Sequence, residues 1–442
     1  MRIQLSDHFT YKRLLQFVFP SIVMMLCTSV YSIVDGLFVS NFVGKTPFAA
    51  VNIVFPFLMA MGAIGFMVGT GGSAIISRTL GEGKKDQANQ YFSMLIYVTI
   101  GVSLLLSVAG VVFMRPIAGL LGAEGELADD CVIYGRILLA FQTAFILQNV
   151  FQSFFVVAEK PGLSLRVSIA AGLTNFVLDF LFIAVFDWGL AGAAFATVCG
   201  QMVGGILPLV YFTRKNDSLL RLVKTGIEGR IIVRTCTNGV SEMLTSLSAS
   251  FVNILYNFQL MRFAGEDGVA AYGAIMYVNF IFAAIFIGYS IGCGPVIGYH
   301  FGAGNRDELS NLFRKSLRII GTAGVTLTLL AEFLSSPLTR LFVGYDQALY
   351  EMTCHGFRMY ALAFLINGFN AFGSAFFTAL SNGLISAVIS FMRTLIFETS
   401  AVLLLPVFLG LDGIWLAIVA AELSALLVTA SFFAAQRKRY GY

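Results

Sequence analysis

Long apolar runs, separated by short polar stretches, recur along the whole chain. A membrane-crossing helix needs about 20 predominantly apolar residues. Twelve stretches meet that length, at 13–38, 48–77, 91–114, 131–157, 163–186, 190–212, 232–262, 269–299, 316–336, 354–379, 384–408 and 412–434. The pattern predicts an all-α membrane protein with twelve transmembrane helices.

The runs repeat. "SRTLGEGKKDQ" (77–87) lines up with "GYHFGAGNRDE" (298–308), pairing Gly81 with Gly302, Gly83 with Gly304 and Asp86 with Asp307. The same offset of 221 pairs Gly44 with Gly265, Gly71 with Gly292, Gly135 with Gly356, Ser153 with Ser374, Gly162 with Gly383 and Gly192 with Gly413. One shift that holds without a gap predicts two six-helix bundles. Six is even, so the halves share one topology, and their pseudo-two-fold axis runs along the membrane normal. The expected division is a first lobe at 1–212, a cytoplasmic linker at 213–230 and a second lobe at 231–442. Such architectures enclose a central cavity and alternate its opening.

Composition agrees and adds an orientation. Of 442 residues, 58% are hydrophobic and 12% charged, against roughly 25% charged in average soluble domains. The start, "MRIQLSDHFTYKR", is polar and does not read as a cleavable signal. Of the 28 Lys and Arg, 21 fall on the side that carries both termini, 6 on the other, and Arg393 inside a span. Basic loops stay in the cytoplasm, so both termini are expected there. The six cysteines are scattered and read as small hydrophobes.

Polar residues inside the apolar runs carry the chemistry. Asp35 lies within "YSIVDGLFVSNFVG" (31–44). A carboxylate at a helix centre costs roughly 2.5–3.5 kcal/mol on insertion scales, so it must face the bundle interior. Helical spacing puts Thr28, Tyr31, Ser32 and Asp35 on one face. Asn175 and Asp179 are one turn apart in the fifth run, as are Thr197 and Gln201 in the sixth. The fourth run carries Gln142, Asn149, Gln152 and Ser153. Two carboxylates with such neighbours either share a proton or form an oxygen cage for Na⁺ at Asp35 and Asp179. The offset sends Asp35 to Tyr256, Asn175 to Ile396 and Asp179 to Ser400. The second half lacks this cluster, which argues for function in the first half rather than scaffold.

The second half has charges of its own. Glu242 either binds a cationic substrate or hydrogen-bonds between helices. Arg393 and Glu398 pair, or Arg393 reaches the interface. Glu332 and Glu422 read as structural. His8, His300 and His355 have no metal-ligand spacing. "GEGKKD" lacks the spacing of a phosphate loop and "GCGPVIG" that of a dinucleotide site, so energy must come from an ion gradient. Pro20, fifteen residues before Asp35, and Pro56 and Pro406 are static kinks or bending points coupled to protonation. "GTGGS" (69–73) is expected to loosen the end of the second helix.

Together these residues resemble the multidrug and toxic compound extrusion (MATE) family over the whole chain. The stretch "FPSIVMMLCTSVYSIVDGLFVSNFVG" (19–44), the paired loops after the second and eighth helices, and "NGVSEM" (238–243) carry the resemblance. It implies a bacterial inner-membrane antiporter that exports lipophilic, often cationic, compounds against H⁺ or Na⁺, with no cofactor besides that ion. It implies an ion site at Asp35, Asn175, Asp179 and Thr197, helped by a helix 4 amide, Asn149 or Gln152, with Pro20 as the bending proline. Another branch places acids deep in helices 7 and 10; helix 10 here has only Asn367 and Asn370 in its middle.

The expected partners are small lipophilic cations and membrane lipids, with no nucleic acid, and a monomer suffices. Tyr31, Phe55, Met59, Phe154, Tyr256, Met276, Tyr277 and Phe280 are the expected cavity wall. The rivals are a lipid-linked oligosaccharide flippase, which commonly needs several deep bases, a passive channel and a membrane enzyme.

Overall fold

A computed structural model describes residues 3–43, 45–344 and 346–442. Gly44 of the repeat and the Ser32 side chain lie outside what is described. Among the described residues nine helices are long and apolar enough to cross a membrane, and two bent pairs raise the number to eleven. The longest, Gly229–Gly302, has 74 residues. At 1.5 Å per residue it would reach about 110 Å, more than three times a hydrocarbon core. It is two spans joined at Gly265, whose φ of 64° and ψ of −151° suit a residue without a Cβ. That break supplies the twelfth span.

The spans are named α1 to α12. The first three are α1, Tyr11–Phe38, running into a π-helical turn at Val39–Val43; α2, Lys45–Gly81; and α3, Lys85–Leu120. Next comes α4, Gly125–Ala140 bent by 54° onto Gln142–Val157. Then follow α5, Pro161–Asp179 with a π segment at Phe180–Val185, and α6, Gly189–Thr213. In the second lobe α7 is 229–264, α8 is 266–302 and α9 is Arg306–Val343. The bent α10 is Gln347–Ala361 with Phe364–Ala379, at 47°. Last are α11, Gly383–Ser390 continuing through a π segment Phe391–Glu398 to Thr399–Leu409, and α12, Leu411–Tyr440.

Most helices outrun their apolar stretches. The hydropathy pattern gives 316–336 for α9, but the helix starts at Arg306, capped by Asn305, whose side chain accepts from the Glu308 N–H. Charged residues end a hydropathy run without ending a helix. Asp35 accordingly lies near the far end of α1, not at its centre. Pro20 sits inside a helix that continues unbroken on both sides.

The lobes meet where small residues let backbones touch. A Cβ on Gly239 of α7 would strike the Met67 carbonyl oxygen of α2, and one on Gly71 would strike Thr235. On the other side Gly292 and Gly288 of α8 lie against Val18, Ser21 and Ile22 of α1. The offset of 221 turns Val18 into Gly239 and Gly71 into Gly292, so one crossing is the image of the other. At the loop ends Gly81 abuts Tyr299 while Gly302 abuts Arg78, again an exchanged pair. The "GTGGS" segment therefore loosens nothing. Its glycines admit three neighbours, Ser153 at Gly69, α7 at Gly71, and Leu95 with Phe154 at Gly72.

Both chain ends lie at this tightly crossed end. Leu5 and Phe9 are fully buried there. The Leu5 N–H donates to Glu159 of the first lobe at 2.8 Å and the Phe9 N–H to Glu308 of the second at 2.9 Å. At the other terminus, Asn382 donates to the Tyr440 hydroxyl at 2.9 Å, and Tyr442 packs on Phe313. The stretch between Thr213 and Gly229 forms no helix and is tied to α3. Arg221 N–H donates to Asn89 Oδ1 and Val223 N–H to Ser93 Oγ, each at 2.8 Å.

Candidate functional site

α5 and α6 pack closely because α6 is small-residue rich. A Cβ at Gly200 would come within 3.0 Å of Asn175 Cβ, and one at Gly204 would crowd Gln148 of α4 at 2.6 Å. Gly172 of α5 leaves the matching space for the Tyr31 ring of α1. These approaches draw α1, α4, α5 and α6 around one point.

At that point the Asp35 carboxylate interacts with Asp179, Asn175 and Thr197. The four residues named from the sequence thus come together. Asp179 is fully buried and neither carboxylate oxygen has a hydrogen-bond partner. One Asp35 oxygen and the Asn175 amide nitrogen are likewise buried and unpartnered. The Thr197 hydroxyl donates to the Ala193 carbonyl at 3.0 Å, leaving its oxygen free to accept. Two residues that sequence reasoning missed complete the group. Tyr134 is buried within electrostatic reach of both carboxylates, and Gln148 interacts with Tyr31. Gln148 carried the signal of its neighbours, an amide in an apolar run. Tyr134 carried none, because an interhelical partner is not visible in one helix.

Both carboxylates precede a π-helical stretch, Val39–Val43 after Asp35 and Phe180–Val185 after Asp179. A π turn shifts side-chain direction and leaves a carbonyl poorly paired, which is why such turns gather at functional positions.

The remaining candidates fall elsewhere. Asn149 is buried against Gly65 of α2, its amide nitrogen unpartnered, and Gln152 is buried one turn further. Gln201 is likewise left with an unpartnered buried oxygen. Phe154 is in the first-lobe core, its ring 5.3 Å from Phe92, and is not a cavity wall. Tyr256 is also removed from the wall, being 1% exposed and stacked on Tyr272 at 4.8 Å. Phe55 and Phe280 are exposed, and Tyr277 stacks on Phe342 of α9.

The second lobe holds a different polar group. Arg393 neither pairs first with Glu398 nor reaches the interface. Its guanidinium donates to Glu422 of α12 at 2.8 Å and to Asn367 of α10 at 2.9 Å. Asn370 donates to Glu422 at 2.7 Å and accepts from Thr429. Glu422 is thus structural, as expected. Glu398 and Glu242 also act on Arg393.

Two six-helix lobes joined by exchanged glycine crossings, with an unpaired acidic group inside one of them, define a duplicated, multi-pass membrane protein. The family model described as MatE matches residues 20–181 and 243–401, more than half the chain. The chain belongs to the MATE family, whose members are transporters and not enzymes. It is 23% identical over 420 residues to the multidrug export protein MepA of Staphylococcus aureus (strain MRSA252), covering 94% of this chain and 92% of that protein. It is 24% identical to MepA of Staphylococcus haemolyticus over 73% of this chain and 72% of the relative. Its fold superposes on a MATE protein solved in complex with MaL6, with a TM-score of 0.92 at 21% identity over 98% of both chains. A multidrug-resistance MATE transporter of the MOP superfamily, in an outward-facing conformation, gives 0.89 at 22% identity, also over 98% of both.

Proposed function

We propose that this chain is a secondary antiporter that exports lipophilic, often cationic, compounds in exchange for a cation bound at Asp35 and Asp179. The observation that carries the reading is the acidic pair itself. Buried Asp179 and half-buried Asp35 interact with each other, each with an unpartnered buried oxygen, and among the described residues no Lys or Arg acts on either. A pair of anions in a membrane is costly unless a cation joins it. A proton shared between the two carboxylates meets that need with no other ligand. Na⁺ is the second reading, favoured by the Asn175 and Thr197 oxygens. Loading the pair removes charge from the lobe and favours closure of the ion-accepting side; substrate competes with the ion.

Multidrug export by the MepA relatives supports the substrate class. The excess of bases at the end that carries the termini supports a cytoplasmic location for both, in a bacterial inner membrane, with the glycine crossings closing the cytoplasmic side. The helix-free stretch 214–228 suits the linker placed at 213–230 between lobes 1–212 and 231–442. One chain supplies the whole ion site, so a monomer suffices. Among the described residues the one arginine deep in a span is already paired with Glu422, which weighs against a flippase for phosphate-bearing lipids.

The test is accumulation of a fluorescent lipophilic cation in proteoliposomes under separate pH and Na⁺ gradients, with wild type beside Asp35→Asn. Accumulation under one gradient, abolished in the variant, names the ion. Equal accumulation in the variant removes Asp35 from coupling.

A further inference from the structure

The repeat treats two equivalent surfaces differently. On α3, Asn89, Ser93 and Tyr97 are all used by the linker. Arg221 and Val223 N–H groups donate to Asn89 and Ser93, and the Tyr97 hydroxyl donates to the Val223 carbonyl at 3.4 Å. Leu222 packs there against the first-lobe core. The offset of 221 carries Asn89, Ser93, Met94 and Tyr97 onto Ser310, Arg314, Lys315 and Arg318 of α9. There the chain lays only Phe9–Tyr11 along one edge, against Asn311, Lys315 and Arg318, and Arg314 stays exposed. The surface forms a polar pocket of about 390 Å³ lined by Ser310, Arg314, Lys315 and Arg318, with Asp307 as its one acid.

This pocket opens directly into an apolar groove of about 560 Å³, and the two share Tyr11 and Arg318. Leu15 of α1, Ile285 of α8, and Ile319 and Leu327 of α9 line the groove. It therefore runs along membrane-spanning helices and bridges the first lobe to the second. Arg314 and Arg318 are exposed. Arg318 donates to the Tyr11 hydroxyl at 3.1 Å, and Lys315 to the Phe9 carbonyl at 2.6 Å, so the bases are held at the mouth of the groove.

We propose that groove and pocket together bind one anionic phospholipid, its phosphate held by Arg314 and Arg318 and one acyl chain laid along Leu15, Ile285, Ile319 and Leu327. A molecule charged at one end and apolar along its length matches a basic pocket continuous with an apolar groove. Basic pockets between helices at the membrane interface select such headgroups, and planar guanidinium groups suit phosphate. In the first lobe the linker backbone fills the equivalent surface. In the second, a lipid takes that place and touches both lobes at their crossed end.

The test uses the full-length chain purified in detergent, titrated with phosphatidylglycerol and followed by native mass spectrometry. Phosphatidylcholine with the same chains, and glycerol 3-phosphate as competitor, are the other arms. One phosphatidylglycerol is expected to bind in preference to phosphatidylcholine. The double variant Arg314→Gln/Arg318→Gln is expected to weaken it roughly 30-fold, the sum of two interfacial bases. Ala323→Trp, which fills the groove and keeps the bases, is expected to weaken it as well. Equal binding of the two lipids, or an unchanged affinity in the arginine variant, overturns the proposal. So does displacement by glycerol 3-phosphate as effective as by lipid, since that makes the site one for free phosphate.

Discussion

Asp35 and Tyr256 hold the same place in the two lobes, and the helices around them follow the same path. Around Asp35 the charges are all of one sign, and polar atoms are left without partners. Around Tyr256 lie Glu398, Glu422, Tyr272 and Tyr360, and Arg393 bonds directly to one of these acids, Glu422. The first lobe has no base acting on its acid pair among the described residues; the second holds one of its acids in a direct ion pair. A duplicated scaffold tolerates both solutions, so neither group is required by the fold alone. The difference gives the two lobes distinct polar interiors on one scaffold.

The largest expected effect is the one that would break this contrast. Asp35→Asn and Asp179→Asn should each cut gradient-driven accumulation on the order of 100-fold, the upper range of coupling between sites. Tyr256→Phe removes a hydroxyl that has no hydrogen-bond partner and should leave transport within about twofold. A Tyr256→Phe loss as deep as that of Asp35→Asn would make the lobes equivalent.

Stability should show the opposite ranking. Glu422→Gln leaves Arg393 without its ion-pair partner and should cost about 3–5 kcal/mol, with the Arg393→Met/Glu422→Met double variant recovering most of it. Thermal unfolding in detergent measures both. Asp35→Asn removes an unbalanced charge and should not destabilise; a large loss there would place a structural role on the first-lobe acids.

The crossings sharpen the symmetry. Gly71→Ala and its counterpart Gly292→Ala place a methyl against a neighbouring helix. Each should disfavour the closed terminal end by about 1–3 kcal/mol, as overpacking does. Spin-label distances across that end should lengthen similarly for both. Gly101→Ala, with nothing within 4 Å, serves as the neutral control.

The smallest effect belongs to the paired loops. Glu82 bonds Lys84 at 2.9 Å and Arg78 at 3.2 Å, and the equivalent position is Ala303. The Lys84 hydrogen bond, with help from Arg78, holds the Glu82 carboxyl below its ordinary range. Its stabilisation is therefore present above the ordinary carboxylate pKa and is lost as pH falls through the lowered one. Being a surface pair, it should contribute at most about 1 kcal/mol. Glu82→Ala should flatten the acid side of the stability profile slightly, and no change at all would leave the two loops alike.

The twelve spans, the repeat and the clustering of Asp35, Asn175, Asp179 and Thr197 were legible because each leaves a trace along one dimension. Apolar length marks a span, a constant offset marks duplication, and a carboxylate in an apolar run marks a site. What the sequence hid depends on rotation between helices. Tyr134, the Arg393–Glu422 pair and the burial of Phe154 are set by which faces meet. A π turn within α1, α5 or α11 shifts that phase with no signal in hydropathy. "GTGGS" was misread for the same reason, since a glycine that relaxes a lone helix can also be the contact point of two.

The short segment before α1 has a consequence for synthesis. Leu5 and Phe9 are made before α1, yet their partners Glu159 and Glu308 are made about 150 and 300 residues later. At roughly 5–20 residues per second the segment waits on the order of 15–60 s before its second partner exists. Phe9 has the ring of Phe17 close by in the chain, but the backbone bonds of this segment close only after most of both lobes has been made.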